Sequence, residues 1–338
     1  MPTTQEKLLR LLADGAVHSG TGLATQLGIT RAAVWKSIRQ LEDAGVTISA
    51  QTGKGYWLNE PLELLDATLI SAALDNTARQ RIDALEVLWQ VGSTSDHLLQ
   101  APAVSPGRSR VCLAEFQTDG RGRRGREWFA AAGHSICLSL SWSFQSSPQQ
   151  LASLGLAVGA GVLRTAQAAG ATAAQLKWPN DVVVNGNKLA GVLIDVQGEA
   201  GGPMRAIIGV GLNYSLPANA ERQIEAAGGL RPASLVDAYV DAHAERHPPL
   251  SRNAVAAALI NELHNVMAEF SARGFSAFAA EWRAADYLQA KPVTVTVDGV
   301  EHRGVVRGIA ADGRLQLETD GGILHVMSGD VRVRPAGR

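Results

Sequence analysis

Three glycines and four arginines alternate closely in the loop from Gly120 to Arg126, Gly-Arg-Gly-Arg-Arg-Gly-Arg. Glycine allows the backbone to approach a ligand closely and to present its N–H groups to an anion. The guanidinium groups add positive charge and paired donors that suit phosphate and carboxylate. The loop therefore predicts a site that holds a phosphate beside a carboxylate, which is the chemistry of ATP-dependent ligation.

An RG-rich patch that binds RNA is the alternative interpretation of this loop. Such patches usually lie in low-complexity, disordered tails. This loop instead lies between two apolar runs, 111–116 and 136–142, which predict buried strands. A ligand-binding loop inside a folded domain is therefore favoured.

Four further segments place polar residues beside predicted helices or strands. Gly92-Ser93-Thr94-Ser95 can cap a helix, and Lys177-Trp178-Pro179-Asn180-Asp181 predicts a rigid turn with a polar tip. Asn187-Lys188-Leu189-Ala190-Gly191 leads into a strand, and Gly209-Val210-Gly211-Leu212-Asn213 ends one. Each segment alone also fits a plain cap, turn or strand end, so only the set indicates a site.

The first 62 residues predict a winged helix-turn-helix domain. Apolar faces mark three short helices, with Gly28 ending the second and Thr30 capping the third. The apolar runs 46–48 and 56–58 then flank a glycine-containing turn and predict a hairpin. The side chains expected to contact DNA from the third helix and the hairpin tip are Arg31, Trp35, Lys36, Arg39 and Lys54.

The remainder predicts an α+β catalytic domain over 66–287 and a small β-barrel over 288–338. Strands and helices do not alternate regularly, so a mixed sheet is expected and a doubly wound one is not. The barrel is indicated by alternating valines and repeated Asp-Gly turns. Surface loops are expected over about 214–250. Strands are predicted at 111–116, 136–142, 182–184, 189–196 and 206–212, and long helices at about 148–169 and 251–272.

Composition limits the possible classes of protein. Hydrophobic residues form 46% of the chain and charged residues 19%, which predicts a packed globular fold. The net charge of -1 means that any nucleic-acid contact must come from a local patch. Apolar runs are too short to span a bilayer, so no membrane contact and a cytoplasmic location are expected. Cys112 and Cys137 lie in apolar runs and predict buried thiols.

The polar segments, in this order, resemble those of the biotin–protein ligases. The helix-turn-helix segment 29–36 and the hairpin turn Gly53-Lys54-Gly55-Tyr56 resemble the bifunctional bacterial type, a biotin ligase that also represses the biotin operon. The resemblance extends over nearly the whole chain. It implies a winged helix-turn-helix, a central catalytic domain similar to class II synthetases and an SH3-like C-terminal β-barrel.

The resemblance also implies a two-step reaction. Biotin and ATP, with Mg²⁺, would give biotinyl-5'-AMP, and biotin would then pass to a lysine of the biotin carboxyl carrier protein of acetyl-CoA carboxylase. A homodimer formed by the adenylate-bound protein would bind the operator DNA of the biotin genes. Three alternatives stay open: a ligase whose N-terminal domain does not repress, a transcription factor that only senses a ligand, and a lipoate–protein ligase.

Matching positions to the family implies a role for each site residue. Lys188 and Arg123 are the expected catalytic residues, with Lys188 between the carboxylate of biotin and the α-phosphate. Mg²⁺ is expected to come with ATP, near Asp181, because the scattered histidines predict no metal site built by protein side chains alone. The expected biotin contacts are Ser93, Thr94, Ser95, Gln117, Arg121, Gly122, Arg123, Lys188 and Gly191. The expected ATP contacts are Arg121, Arg123, Trp128, Lys177, Asn180, Asp181 and Asn213.

One position departs from the family pattern. Many bacterial members have Asp-Ser-Thr-Asn where this chain has Gly92-Ser93-Thr94-Ser95. A serine hydroxyl makes fewer hydrogen bonds than an asparagine amide. The contribution of Ser95 to the biotin site is therefore expected to differ from that of the usual asparagine.

Overall fold

The structure is a computed structural model of the 338-residue chain. It describes residues 2–145, 148–198, 203–217, 220–226, 230–242 and 251–333. No helix in these ranges combines the length and apolar character needed to cross a membrane.

The N-terminal unit is a winged helix-turn-helix, as predicted. Hydroxyl groups of Thr3, Ser19 and Thr30 cap its three helices by accepting backbone N–H groups of the first turn. Gly28 ends the second helix in the left-handed conformation, with φ 67°. The elements are α1 Thr4–Leu12, α2 Gly20–Leu27, α3 Arg31–Asp43, β1 Ile48–Gln51 and β2 Gly55–Leu58.

The central unit is a seven-stranded mixed sheet with helices packed on it. The strand order is β3-β4-β5-β9-β8-β7-β6, in which β3 and β4 pair in parallel and each of the other neighbouring pairs is antiparallel. Its strands are β3 Ile82–Val91, β4 Ser109–Gln117, β5 Ser135–Phe144, β6 Ala174–Lys177, β7 Asp181–Val184, β8 Asn187–Gln197 and β9 Met204–Asn213. Its helices are α4 Ala67–Ala73, α5 Asn76–Arg81, α6 Thr94–Gln100, α7 Pro148–Leu151, α8 Leu154–Ala168, α9 Ala220–Ala226, α10 Leu235–Ala242, α11 Arg252–Arg273 and α12 Ala279–Ala285, with 3-10 turns at Arg123–Gly125 and Gly274–Ala277.

The α+β class is confirmed, but some predicted elements were wrong. The single helix expected at 148–169 is split into α7 and α8, because Ser153 leaves the helical path with ψ 4°. The expected surface loops over 214–250 contain α9 and α10 in their described parts, and Leu235 on α10 is buried in the core. Residues 243–250 of that prediction lie outside the described residues. Strands β3 and β6, at the two sheet edges, were not predicted.

The C-terminal unit is a small antiparallel β-domain. Its order is β13-β12-β11-β10-β14, from β10 Pro292–Val297, β11 Val300–Ile309, β12 Leu315–Thr319, β13 Gly322–Val326 and β14 Asp330–Val333. Its buried side chains belong to the same apolar cluster as the central sheet and α11. The indole of Trp178, in the Trp-Pro turn, donates to the Gly313 carbonyl at 3.1 Å. The turn beside the site is therefore fixed to the C-terminal domain.

A buried ion pair joins the linker after the winged helix to the central sheet. Arg252, at the start of α11, and Glu115, on β4, are 0% and 3% exposed, and their closest contact is 2.8 Å. Arg252 also donates to the carbonyl oxygens of Glu63 and Ser135. The Glu115 carboxylate accepts the Leu65 N–H and, at 3.1 Å, the Gly133 N–H. The ion pair thus joins four segments, which are α11, β4, the linker at 63–65 and the segment 133–135.

Asp286 is a buried carboxyl group just before the first strand of the C-terminal domain, and its burial can be tested. Burial raises the pKa of the Asp286 carboxyl to about 6, although the Leu288 N–H and Lys291 oppose the shift. Within the described ranges, the Oδ2 atom has no hydrogen-bond partner. The folded state therefore binds the proton more tightly than the unfolded state, and stability is lost as the pH rises through about 4 to 6. The neutral variant Asp286→Asn should avoid a loss of up to about 3 kcal/mol above that range.

Urea unfolding of Asp286→Asn at several pH values would measure this difference. The variant should match the wild type near about pH 4 and exceed it near about pH 7. Asp298→Asn, at an exposed turn, serves as the control. A pH-independent difference between Asp286→Asn and the wild type would contradict the expected burial effect.

Candidate functional site

One cavity collects polar residues from segments that are far apart in the sequence. It lies at the start of α6 and the end of β4, above strands β5, β8 and β9. Its volume is about 50 Å³. The predicted residues that line it are Ser93, Thr94, Ser95, Gln117, Arg121, Gly122, Arg123, Trp128, Asn180, Lys188 and Gly191. Gly209, Val210 and Gly211, from a segment that was singled out without individual roles, also line it, and the lining residues that were not predicted are Leu138, Ser139, Val192 and Leu193.

Hydroxyl groups occupy one end of the cavity. Ser93 caps α6, which places Thr94 and Ser95 at the start of the helix with their side chains buried. The Gln117 Oε1 atom accepts the backbone N–H and the hydroxyl of Thr94, at 2.8 and 3.1 Å. Ser139 Oγ lies 2.8 Å from Thr94 Oγ1 and 2.9 Å from Ser95 Oγ. This end suits a ligand that carries both N–H and carbonyl groups.

Two glycines form the floor of the middle of the cavity. Gly191 on β8 pairs with Gly211 on β9, and the indole of Trp128 lies against both. A Cβ atom at Gly211 would lie 2.6 Å from Cζ2 of Trp128 and 2.7 Å from Nε1, so a side chain there is incompatible with this indole position. Nε1 itself is buried and finds no hydrogen-bond partner among the residues that the structure describes. The glycines thus create a flat trough that the indole covers.

The other end of the cavity is charged. Lys188 Nζ lies 2.7 Å from Asp181 Oδ1 and 5.4 Å from the centre of the Trp128 ring. The ammonium of Lys188 and the carboxylate of Asp181 therefore form a partly buried ion pair. Asn180 donates to the Val192 carbonyl at 2.7 Å, which fixes the turn to β8. In the described part of the chain, no three His, Cys, Asp or Glu residues form a group that could hold a metal.

Carboxylates from distant segments hold two parts of the glycine/arginine loop. Arg121 Nη2 lies 2.9 Å from Asp96 on α6 and 2.7 Å from Asp195 on β8. Arg124 and Arg126 both pair with Asp330 of the C-terminal domain, at 3.1 and 2.5 Å. Burial would raise the pKa of Asp330, but the two arginines outweigh it and keep that pKa below its usual value.

Arg123 makes contacts of a different kind. Its guanidinium donates to the neutral oxygens of Asn180 at 3.4 Å and Ser328 at 2.8 Å. Burial, followed by the charge of Arg124, lowers the pKa of Arg123, yet an arginine stays charged at neutral pH. Arg123 therefore places a positive charge at the cavity wall, and neutral groups orient its guanidinium.

Three predicted ATP contacts lie outside the cavity lining. Asp181 lies behind Lys188, as described above. Lys177 is buried opposite Asp181 in the β6–β7 ladder, and burial lowers its pKa. Asn213 uses its amide to donate to the carbonyl oxygens of Lys188 and Ala233, at 3.2 and 3.1 Å. The roles of these three residues in binding ATP stay predictions.

The predicted DNA-contacting side chains of the winged helix are all exposed. Trp35 is 55% exposed, and the guanidinium of Arg39 lies 5.4 Å from its ring centre. Arg39 also pairs with Glu42 at 3.0 Å, which partly neutralises its charge. The side chains that are exposed as predicted are Arg31, Trp35, Lys36, Arg39 and Lys54.

Family models match the chain in the order of its three units. The HTH domain model matches residues 4–57, and the Biotin/lipoate A/B protein ligase family model matches residues 90–213. The Biotin protein ligase C terminal domain model matches residues 291–334. These matches, together with relatives more than 30% identical over nearly the full length, show that the chain belongs to the biotin–protein ligase family.

Two relatives match this chain over nearly their whole length. The chain is 36% identical to the bifunctional ligase/repressor BirA of Salmonella typhimurium, over 97% of each chain. It is 35% identical to the bifunctional ligase/repressor BirA of Escherichia coli, over 99% of this chain and 98% of that one. A biotin protein ligase of Aquifex aeolicus in complex with biotin and ATP shares the fold, with a TM-score of 0.59 and 23% identity over 75% of this chain and 100% of that one.

Substituting Gly211 tests the packing of the trough. Gly211→Ala should force the Trp128 indole off the glycines and lower the free energy of unfolding by roughly 1–3 kcal/mol, as overpacking usually does. Denaturant unfolding measures the change. In a Trp128→Ala background the same substitution should have little effect, because the clashing ring is gone. An equal loss in both backgrounds would show that Trp128 does not lie on Gly211.

Proposed function

We propose that the protein is an ATP-dependent biotin–protein ligase that also represses transcription of biotin genes. The observation that carries the ligase activity is the cavity, where hydroxyls, a glycine trough and the cations Arg123 and Lys188 follow one another. This sequence of groups matches biotin, which has a ureido ring, an apolar chain and a carboxylate. The carrier would be the biotin carboxyl carrier protein of acetyl-CoA carboxylase, in the cytoplasm.

The first reaction needs positioning and charge more than proton transfer. The carboxylate of biotin is already ionised at neutral pH, so it can attack the α-phosphorus of ATP without a general base. Pyrophosphate leaves and biotinyl-5'-AMP remains. Lys188 and Arg123, at the charged end, would offset the repulsion between the two anions and the charge of the transition state. In the second reaction, a carrier lysine attacks the acyl carbon and AMP leaves.

Binding requires a movement of the loop. A cavity of about 50 Å³ is far smaller than the roughly 300–1,000 Å³ of typical ligand pockets. The indole of Trp128 covers the trough where the apolar chain would lie. Displacement of this ring would open the trough, and the ring could then pack against the adenine.

Mg²⁺ would arrive bound to ATP as part of the substrate. It binds mainly phosphate oxygens and water, with one or two carboxylates from the protein. Asp181 suits this role, because its carboxylate is largely buried and pairs with Lys188 beside the charged end of the cavity. Lys188 would then exchange its ion pair with Asp181 for the two reacting anions.

Lys188→Ala should leave folding intact and lower the rate of biotinyl-adenylate formation by on the order of 100-fold to 1,000-fold, the usual cost of losing one preorganised donor. The measurement is pyrophosphate release and biotin transfer to a purified carrier domain under saturating ATP and Mg²⁺. Lys7→Ala, at an exposed position on α1, is the control and should behave as wild type.

The same assay separates the alternatives. No transfer by the wild-type protein would reject the ligase and leave a factor that only senses a ligand. Faster transfer of lipoate than of biotin would reject biotin as the substrate. Near-normal adenylate formation by Lys188→Ala would reject only the role proposed for Lys188 and would leave the ligase activity in place.

The winged helix supports the second activity. A recognition helix in the major groove needs exposed basic and aromatic side chains, and α3 presents Arg31, Trp35 and Lys36 in this way. Lys54, at the tip of the hairpin, is suited to a phosphate contact. Helix-turn-helix readers usually bind paired half-sites as dimers. We therefore propose an operator-binding homodimer that forms in the adenylate-bound state.

Lys36→Ala should weaken binding to the operator and reduce the salt dependence of log K by about one counterion, since one phosphate contact is lost. Fluorescence anisotropy with DNA from the upstream region of the biotin genes, across a salt series, measures both. Carrier biotinylation should be unchanged. Wild-type affinity that does not respond to biotin plus ATP would leave a ligase whose N-terminal domain does not repress.

A further inference from the structure

A serine that sequence reasoning did not identify lies at the centre of the hydroxyl end of the cavity. Ser139, on β5, is 0% exposed and lines the cavity. Its register partner on β9 is Gly209, where a Cβ atom would lie 2.8 Å from Ser95 Oγ. Glycine at this position therefore makes room for the hydroxyl group of Ser95 to reach Ser139.

The hydrogen bonds of this cluster run in one direction. Gln117 Oε1 is an acceptor only, so the proton of Thr94 Oγ1 points to Gln117. Ser139 must then donate to Thr94 across 2.8 Å, and Ser95 must donate to Ser139 across 2.9 Å. All three hydroxyl protons are used inside the chain Ser95–Ser139–Thr94–Gln117. Ser95 consequently offers lone pairs to the cavity, and Gln117 offers its NH₂ group.

We propose that Ser139 is a positioning residue that selects a cyclic urea by fixing the direction of this hydroxyl chain. The inference rests on the proposed biotin ligase function. A urea ring carries N–H donors beside a carbonyl acceptor, which complement the acceptor of Ser95 and the donor of Gln117. Ser139 acts through these two neighbours, and it sets which of their atoms face the ligand.

Loss of Ser139 would remove this preorganisation without changing the groups near the reacting atoms. Without its oxygen, Ser95 has no acceptor for its proton and becomes free to rotate. Thr94 still donates to Gln117 but loses the donor that it accepts from. A ring N–H would then meet a hydroxyl with no fixed orientation. Lys188 and Arg123, at the other end of the cavity, would remain as they are.

Ser139→Ala should therefore raise the Kd and KM for biotin by on the order of 10-fold, the value of about one hydrogen bond to a buried polar group. The turnover number at saturating biotin should stay within about threefold of wild type, because the carboxylate end is unaffected. Isothermal titration with biotin and the carrier-transfer assay give both quantities for the full-length protein. The preference for biotin over lipoate should fall by a similar factor, since lipoate has no urea.

Ser141→Ala is the matched control. Ser141 is two residues further along the same strand, is also 0% exposed and accepts a hydrogen bond from Arg205 Nε at 3.1 Å, but it does not line the cavity. Its loss should affect stability without changing the biotin KM. Ser139→Cys keeps a weak donor and acceptor, so its affinity should be intermediate, which keeps the test valid if Ser139→Ala folds poorly.

The double variant Ser95→Ala/Ser139→Ala tests the chain itself. Because Ser95 is oriented through Ser139, the two losses should be clearly less than additive. If the Ser139 variants bind biotin as tightly as the control Ser141→Ala, the assignment of Ser139 is overturned and the ligase function stays in place. Failure of the wild-type protein to bind and transfer biotin would overturn both.

Discussion

The buried ion pair between Arg252 and Glu115 is the constraint on which the arrangement of the site depends. The ion pair anchors both ends of the glycine/arginine loop. Glu115 precedes the loop, and its carboxylate accepts the N–H of Gly133, which follows the loop. The linker from the winged helix is held at the same point through Leu65. Removing one partner of a buried pair leaves an uncompensated charge and typically costs about 3–5 kcal/mol. The pair therefore fixes the base of the loop while the tip remains exposed.

The winged helix meets the loop through the residues that follow Trp128. Ala132 is buried in the apolar core of the N-terminal unit, and Gly45 lies against Ala131 and Phe129. A side chain at Gly45 would contact both of these residues, and its φ of 87° also favours glycine. The loop that covers the trough is thus continuous with the packing of the DNA-binding unit. Movement of Trp128 and packing of the winged helix therefore share a short stretch of backbone.

Much of this arrangement could be predicted because local chemistry determines it. The helix caps at Thr30 and Gly28 follow from hydrogen bonding and backbone conformation alone, and the clustering of five polar segments followed from their resemblance to a family. Ser139 could not be found in this way, and Gly211 lay in one of those segments without an assigned role. A serine in an apolar strand carries no signal, and the roles of both residues depend on the register that places Ser139 opposite Gly209 and Gly191 opposite Gly211. The edge strand β3 was missed because its half-buried sequence lacks a clear alternation.

The ion pairs of the loop explain how it can be ordered and still exchange ligands. The partners Asp96, Asp195 and Asp330 come from three distant segments, and each of these pairs is about a third exposed or more on at least one side. Exposed pairs of this kind contribute only about 0–1 kcal/mol each, so a phosphate that accepts paired N–H donors can replace them. Arg123 is held by neutral oxygens and, among the described residues, has no salt bridge to exchange. Its charge is therefore available to an incoming anion from the start, which is the property that a catalytic arginine requires.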